Sequence, residues 1–214
     1  MHWHRFDHVT PRDLAAANGT VVPMLTARSG RGDDGTTDLL GRRRVSKASV
    51  AITALGDLDE ATSAIGVARA YAVHGDPESA FVLEQVQRDL YLAMAEIAIP
   101  ATPGAPPRIS SVRLEWLCQT AVAIDIRTPT PVEFVLPGAT VVGAHLDLAR
   151  TVVRRAERSV VRVIDEGRAD PESGLPTDGN LLAYLNRLST LLYLLARGAD
   201  GATGLAPDLA RAPR

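Results

Sequence analysis

The sequence predicts an all-α fold, a five-helix bundle preceded by an irregular N-terminal arm and a glycine-rich loop. Three observations carry that prediction. Apolar residues recur at three- and four-residue spacing in five long stretches, as in helices that bury one face. Hydrophobic residues make up 46% of the chain but aromatics only 4%, so the core must be Leu, Val, Ile and Ala, residues that pack readily on helices. Turn-forming runs at Gly75-Asp76-Pro77, Pro100 to Pro107 and Pro129 to Pro137 fall between the stretches. A chain of 214 residues supports one substantial core.

In chain order, residues 1–25 have no sustained period and form the arm. His2, His4 and His8 within it are too loosely patterned to argue for a metal site. Residues 26–41, TARSGRGDDGTTDLLG, form a polar loop rich in glycine. Its local pattern fits a surface turn, or a loop whose amides and hydroxyls receive phosphate while Asp33 or Asp34 helps hold hydrated magnesium. It lacks the Walker A order of residues. Ser46 is the expected cap of a first helix over 47–73, with Ile52, Leu55, Leu58, Ile65 and Val67 on its apolar positions. Asp76-Pro77 restarts the chain into a second helix over 78–98, carrying Phe81, Leu83, Val86, Leu90, Met94 and Ile97. A third is expected over 111–126, with Leu114, Leu117, Ala121 and Ile124. The prolines after it enforce an extended connection around Phe134-Val135-Leu136. A fourth helix covers 140–165 and a fifth 178–197, the latter with Leu181, Leu185, Leu188, Leu192 and Leu195. The domain organisation is then arm 1–25, bundle 26–197 and a flexible tail 198–214.

Charge narrows the function classes. Twenty-three basic against 25 acidic residues leave a net charge of -2, which argues against nucleic-acid binding through bulk positive charge. A single cysteine, Cys118, excludes an intramolecular disulfide or a multi-thiolate metal site. The opening residues lack the apolar run of a signal peptide, and no run of about 18 apolar residues predicts a membrane span. A cytoplasmic location is the expectation.

Arg150, Arg154, Arg158 and Arg162 recur every four residues, so along a helix they share one slowly drifting face. Like charges at this spacing repel unless water, carboxylates or a bound anion offsets them. The face is therefore either solvated, with Asp147, Glu157 and Glu166 nearby, or a polyphosphate site using bidentate guanidinium donors. Asp59 and Glu60 interrupt the first apolar helix and are candidate partners for an arginine. Asn186 has the mixed amide donors and acceptors suited to a nucleotide, and Tyr193 suits packing or a flat ligand.

Taken in order, GDDGTT at 32–37, GRRRVSK at 41–47, GDLDEATSAIG at 56–66, FVLPG at 134–138, ARTVVRRAER at 149–158 and NRLSTLLYLLAR at 186–197 resemble the PduO-type ATP:corrinoid adenosyltransferase family. The resemblance covers residues 26–197. It implies a homotrimer of five-helix bundles with active sites between subunits. The implied reaction transfers the 5′-deoxyadenosyl group of Mg-ATP to cob(I)alamin, with adenosylcobalamin and triphosphate as products. A corrinoid-delivery or reductase partner is compatible with it; nucleic acid and membrane are not implied. The alternative is a homologous bundle put to another nucleotide or hydrophobic ligand, or to regulatory binding.

Carried over by position, the resemblance makes Arg154, Arg155 and Arg158 the catalytic arginines around ATP and magnesium, with Glu157 beside them. Gly32, Asp33, Gly35, Thr36 and Thr37 form the phosphate loop, Lys47 adds charge at its base, and Asn186 contacts the nucleotide. Phe134 and Tyr193 line the corrinoid side, while Asp59 and Arg150 make a structural contact near the shared site. The chain departs from the family pattern at several places. Gly30 and Arg31 stand where a basic residue and threonine are usual, leaving Arg28 or Arg31 to supply the displaced charge. Asp147 replaces a common histidine, Thr190 an aspartate and Tyr193 a phenylalanine.

Overall fold

The computed structural model describes residues 30, 32–39, 42–100, 108–128, 131–177, 179–205 and 207–211. The chain divides into two compact units, Met1–Asp34 and Gly35–Arg214. This boundary falls inside the expected 26–197 bundle domain. The expected arm, Arg28 and Arg31 lie outside the described residues. In the first unit Gly30 and Gly32–Asp34 form a turn, with the Asp33 N–H donating to the Gly30 carbonyl at 3.1 Å. Gly32 has φ +98° there, a conformation glycine reaches without a Cβ clash.

The second unit opens with an antiparallel hairpin that periodicity does not predict. Strand β1 (Thr36–Leu39) pairs with β2 (Arg42–Ser46), Thr36 opposite Ser46 and Thr37 opposite Val45. Its register shifts between Thr37 and Leu39, and Arg44 adopts φ +57° while its N–H donates to Asp38 Oδ1 at 3.2 Å. The Lys47 N–H closes the hairpin on the Gly35 carbonyl at 2.9 Å.

Five helices follow: α1 (Val50–Ala72), α2 (Pro77–Ala98), α3 (Ser111–Arg127), α4 (Val141–Ala169) and α5 (Leu181–Ala202). The all-α bundle expected from the sequence is the fold observed. The cap of α1 is Ser49, not Ser46; its side chain accepts from the Ile52 N–H, satisfying one of the amides a helix start leaves unpaired. Asp76 caps α2 with Pro77 in its first turn, as the sequence suggests. One stripe of α1 (Ala51, Ala54, Leu58, Ala61, Ile65, Ala68, Ala72) is buried. These small residues let α1 lie along α4, whose buried stripe includes Ala149, Val152, Val153 and Ala156. α1 also packs on α2, and α5 packs on both α4 and α3. Leu58 is fully buried, and its truncation to alanine would cost about 3 kcal/mol. Phe81 and Val67, expected in the core, are exposed.

Helix α5 continues beyond 197 because its last turn is tied to α4. The Asp200 carboxylate accepts from the Thr140 hydroxyl at 2.8 Å, and Thr140 caps α4. A Cβ on Gly143 would collide with Asp200, so only glycine admits this approach. Beyond α5, part of the expected flexible tail is backbone-paired. Leu136 N–H donates to the Asp208 carbonyl at 2.7 Å and Ala210 N–H to the Phe134 carbonyl at 2.8 Å. Among the described residues no helix is long and apolar enough to cross a membrane.

Candidate active site

Helix α4 presents the arginine ladder to solvent. Ala149, Val152, Val153, Ala156, Val160 and Val163 point inward, so a helix of 3.6 residues per turn must carry Arg154, Arg158 and Arg162 outward. All three are exposed, and none pairs with a carboxylate among the described residues. Arg158 Nη1 donates to the Arg154 carbonyl at 2.9 Å, which folds the guanidinium along the helix but gives it no counter-charge. On the same face Glu157 Oε1 accepts from Asn186 Nδ2 of α5 at 3.2 Å. The structure thus brings together Arg154, Glu157, Arg158 and Asn186, drawn from two sequence motifs.

Arg155 sits differently. Its guanidinium pairs with Glu60 and lies 3.6 Å from Asp57, both on α1. The Glu60 hydrogen bond holds it above its ordinary pKa. Asp57 also accepts from the Ser159 hydroxyl, one turn further along α4. Arg155 is therefore a clasp between α1 and α4 within one chain. The expected Asp59–Arg150 contact is not made inside the chain: Asp59 is exposed, and Arg150 Nε donates to Asp147 at 3.1 Å. Helical geometry is the reason. Asp57 and Glu60, three apart, face α4 together, and Asp59 between them does not.

Beside Arg150 lies a cleft of about 330 Å³ lined by Phe134, Val135, Asp147, Arg150, Tyr193 and Arg197 among others. Phe134 is 89% exposed, an apolar ring presented to solvent by the extended segment. Tyr193 is half-buried, with the Arg197 guanidinium 5.1 Å from its ring centroid. The two residues expected on the corrinoid side therefore do share one cleft. Sequence reasoning assigned Asp147 and Arg197 no part in it. Gly35, Thr36, Thr37 and Lys47 lie at the base of the hairpin, and Gly32 and Asp33 belong to the first unit.

Among the described residues no group of three or more His, Cys, Asp and Glu can hold a metal. A divalent ion can instead bring most of its oxygen ligands with it. Mg²⁺ commonly binds in this way, through one or two carboxylates plus phosphate oxygens and water, and the Glu157 carboxylate fits that requirement.

Residues 27–199 match the family model for cobalamin adenosyltransferase. The chain is 43% identical over 174 residues to a corrinoid adenosyltransferase of Mycobacterium tuberculosis (strain ATCC 25618 / H37Rv), covering 79% of this chain and 86% of that protein. Two solved structures of variant PduO-type ATP:corrinoid adenosyltransferases from Lactobacillus reuteri share the fold. One, complexed with cobalamin and ATP, superposes with a TM-score of 0.75 at 25% identity, covering 87% of this chain and 100% of the other. The second, complexed with ATP, gives 0.74 at 26%, covering 86% and 99%. A match running from the glycine-rich loop into the last helix, joined to this fold and its bare arginine face, establishes that the chain belongs to the cobalamin adenosyltransferase family.

Proposed function

We propose that the chain transfers the 5′-deoxyadenosyl group of ATP to cob(I)alamin. The cobalt(I) substrate supplies an electron pair to the C5′ carbon; the cobalt–carbon bond forms as the C5′–oxygen bond breaks, and triphosphate leaves with that bond's electrons. No side-chain nucleophile is needed, so the protein's work is alignment and stabilisation of the leaving charge. The observation that carries this reading is the exposed row Arg154, Arg158 and Arg162, without carboxylate partners among the described residues. A triphosphate offsets the repulsion within that row, and guanidinium forks suit its oxygens.

Asn186 would orient the nucleotide, held in place by Glu157. Glu157 would also hold Mg²⁺ together with the phosphates, where the ion adds charge neutralisation to that of the arginines. By the family resemblance, Gly32, Asp33, Gly35, Thr36 and Thr37, with Lys47, would contribute phosphate contacts, Arg28 or Arg31 adding charge. Arg155, engaged with Glu60 and Asp57, would position α4 instead of touching phosphate. Phe134 and Tyr193 would receive the corrin. In a homotrimer, exposed Asp59 would reach Arg150 of a neighbouring copy, whose one side-chain partner among the described residues is Asp147. A cytoplasmic setting, with ATP at hand and a reductase or corrinoid carrier as partner, suits the reaction.

Anaerobic incubation with cobalamin, a strong reductant and Mg-ATP tests this. The expected products are adenosylcobalamin and triphosphate in equal amounts. ATP binding without either product would instead identify a nucleotide-regulated binding module.

A further inference from the structure

Adenosyl transfer makes use of the exposed arginine face but leaves a second charged cluster of α4 and α5 without a role. Asp147 is 3% exposed. One of its carboxylate oxygens accepts from Arg150 Nε at 3.1 Å, and the other from Arg197 Nη2 at 2.6 Å. Arg197, 4% exposed, also lies 2.9 Å from Asp200 Oδ2, and Asp200 takes the Thr140 hydroxyl on its other oxygen. Burial by itself would depress the Arg197 guanidinium, but the hydrogen bond and charge of Asp147, joined by Asp200, outweigh it and raise its pKa. Desolvation largely cancels the attraction in such buried ion pairs, so net stability is a weak explanation for four charges in a row.

Their position supplies a better one. Asp147, Arg150 and Arg197 all line the cleft that holds Phe134 and Tyr193. The Arg197 guanidinium is stacked over the Tyr193 ring at 5.1 Å, a cation–π arrangement that depends on where the guanidinium plane is fixed. Asp147 helps fix it, through a short charge-assisted hydrogen bond. The other oxygen of the same carboxylate accepts from Arg150 Nε, the arginine proposed above to meet Asp59 of a neighbouring copy. One buried carboxylate therefore sets the flat aromatic wall of the cleft.

We propose that Asp147 is the positioning residue of the corrinoid subsite, aligning Tyr193 through Arg197 for the face of the macrocycle. This rests on the reading that the cleft takes a corrinoid. Asp147 touches no substrate; its effect on the corrinoid passes through Arg197. It should therefore govern corrinoid affinity and leave ATP affinity alone, because Arg154, Arg158 and Asn186 are not bonded to the cluster.

The test measures two affinities on the full chain: cob(II)alamin by visible absorption with Mg-ATP saturating, and Mg-ATP by calorimetry. Asp147→Asn, nearly isosteric, should weaken cob(II)alamin binding by about ten-fold, as loss of a charged hydrogen-bond acceptor does, with ATP affinity unchanged. Unchanged cob(II)alamin affinity, or an equal loss for both ligands, overturns the proposal. If thermal unfolding shows that Asp147→Asn does not fold, Tyr193→Leu leaves all four charges in place. It must then weaken cob(II)alamin but not ATP, and equal cob(II)alamin affinity overturns the proposal by that route. Failure of the unaltered protein to bind cob(II)alamin at all would overturn the corrinoid reading itself, a result distinct from binding that is indifferent to Asp147.

Discussion

Two groups of guanidiniums in this bundle meet opposite surroundings. At the junction of α2, α3 and α5, Arg113 grips Asp89 through two nitrogens, both at 2.7 Å, and the Tyr184 hydroxyl donates to the same carboxylate at 2.6 Å. Asp89 is 2% exposed, and burial, then the Asp89 bond, pushes the Tyr184 hydroxyl far above its ordinary pKa. Arg113 also stacks on Trp116 at 4.6 Å. On α4, by contrast, Arg154, Arg158 and Arg162 stand exposed in a row without a carboxylate partner among the described residues. The first arrangement is complete without a ligand, and breaking it leaves a buried charge unmatched. The second lacks a counter-charge among the described residues, which is the ground on which we propose it as the triphosphate site. The same residue type is structural where the chain supplies its counter-charge and, in the proposed reading, functional where it does not.

That contrast orders the expected effects. Asp89→Ala should be the largest, about 3 kcal/mol of stability, read from chemical unfolding, while turnover of the fraction that remains folded stays near that of the unaltered protein. Arg158→Ala should do the reverse: turnover falls about 100-fold, as when one donor to a developing anion is removed, and the unfolding midpoint barely moves. Arg155→Ala falls between, lowering the unfolding midpoint by releasing α1 from α4 and reducing turnover less than Arg158→Ala. A turnover loss equal to that of Arg158→Ala would move Arg155 from the clasp to the phosphate site. The smallest effect concerns the exposed Glu78–Arg127 pair. The Arg127 hydrogen bond and charge hold Glu78 below its ordinary 4.5. Its contribution to stability is therefore present above that value and lost as pH falls through the lower folded value. Glu78→Gln should lower the unfolding midpoint slightly at neutral pH and converge with the unaltered protein in acid.

The five helices were legible because each carries a long apolar period with recognisable ends, such as Asp76-Pro77. The hairpin was not. Its strands are four and five residues long, bulged near Asp38, and one of them holds Arg44 at positive φ, so no two-residue alternation survives to be read. The ladder was legible as a spacing, because a helix turns equal spacing into a shared face. The identity of its neighbours was harder. Glu60, one of the two acids expected to meet an arginine, does pair with Arg155, and Asp57 joins it where Asp59 does not, because Asp57 and Glu60 share the face toward Arg155 and Ser159; that three-residue spacing was available to sequence reasoning. The pairing of Asp147 with Arg197, 50 positions apart, was not, since it exists only once α4 and α5 pack.

The claim that unpaired guanidiniums on α4 form the triphosphate site is tested most directly by titrating inorganic triphosphate, the leaving group alone, into the unaltered protein and into Arg158→Ala. The account predicts measurable binding to the unaltered protein and affinity at least about ten-fold weaker in the variant, the loss expected for one charge-assisted contact. Equal affinity in the two proteins would contradict it.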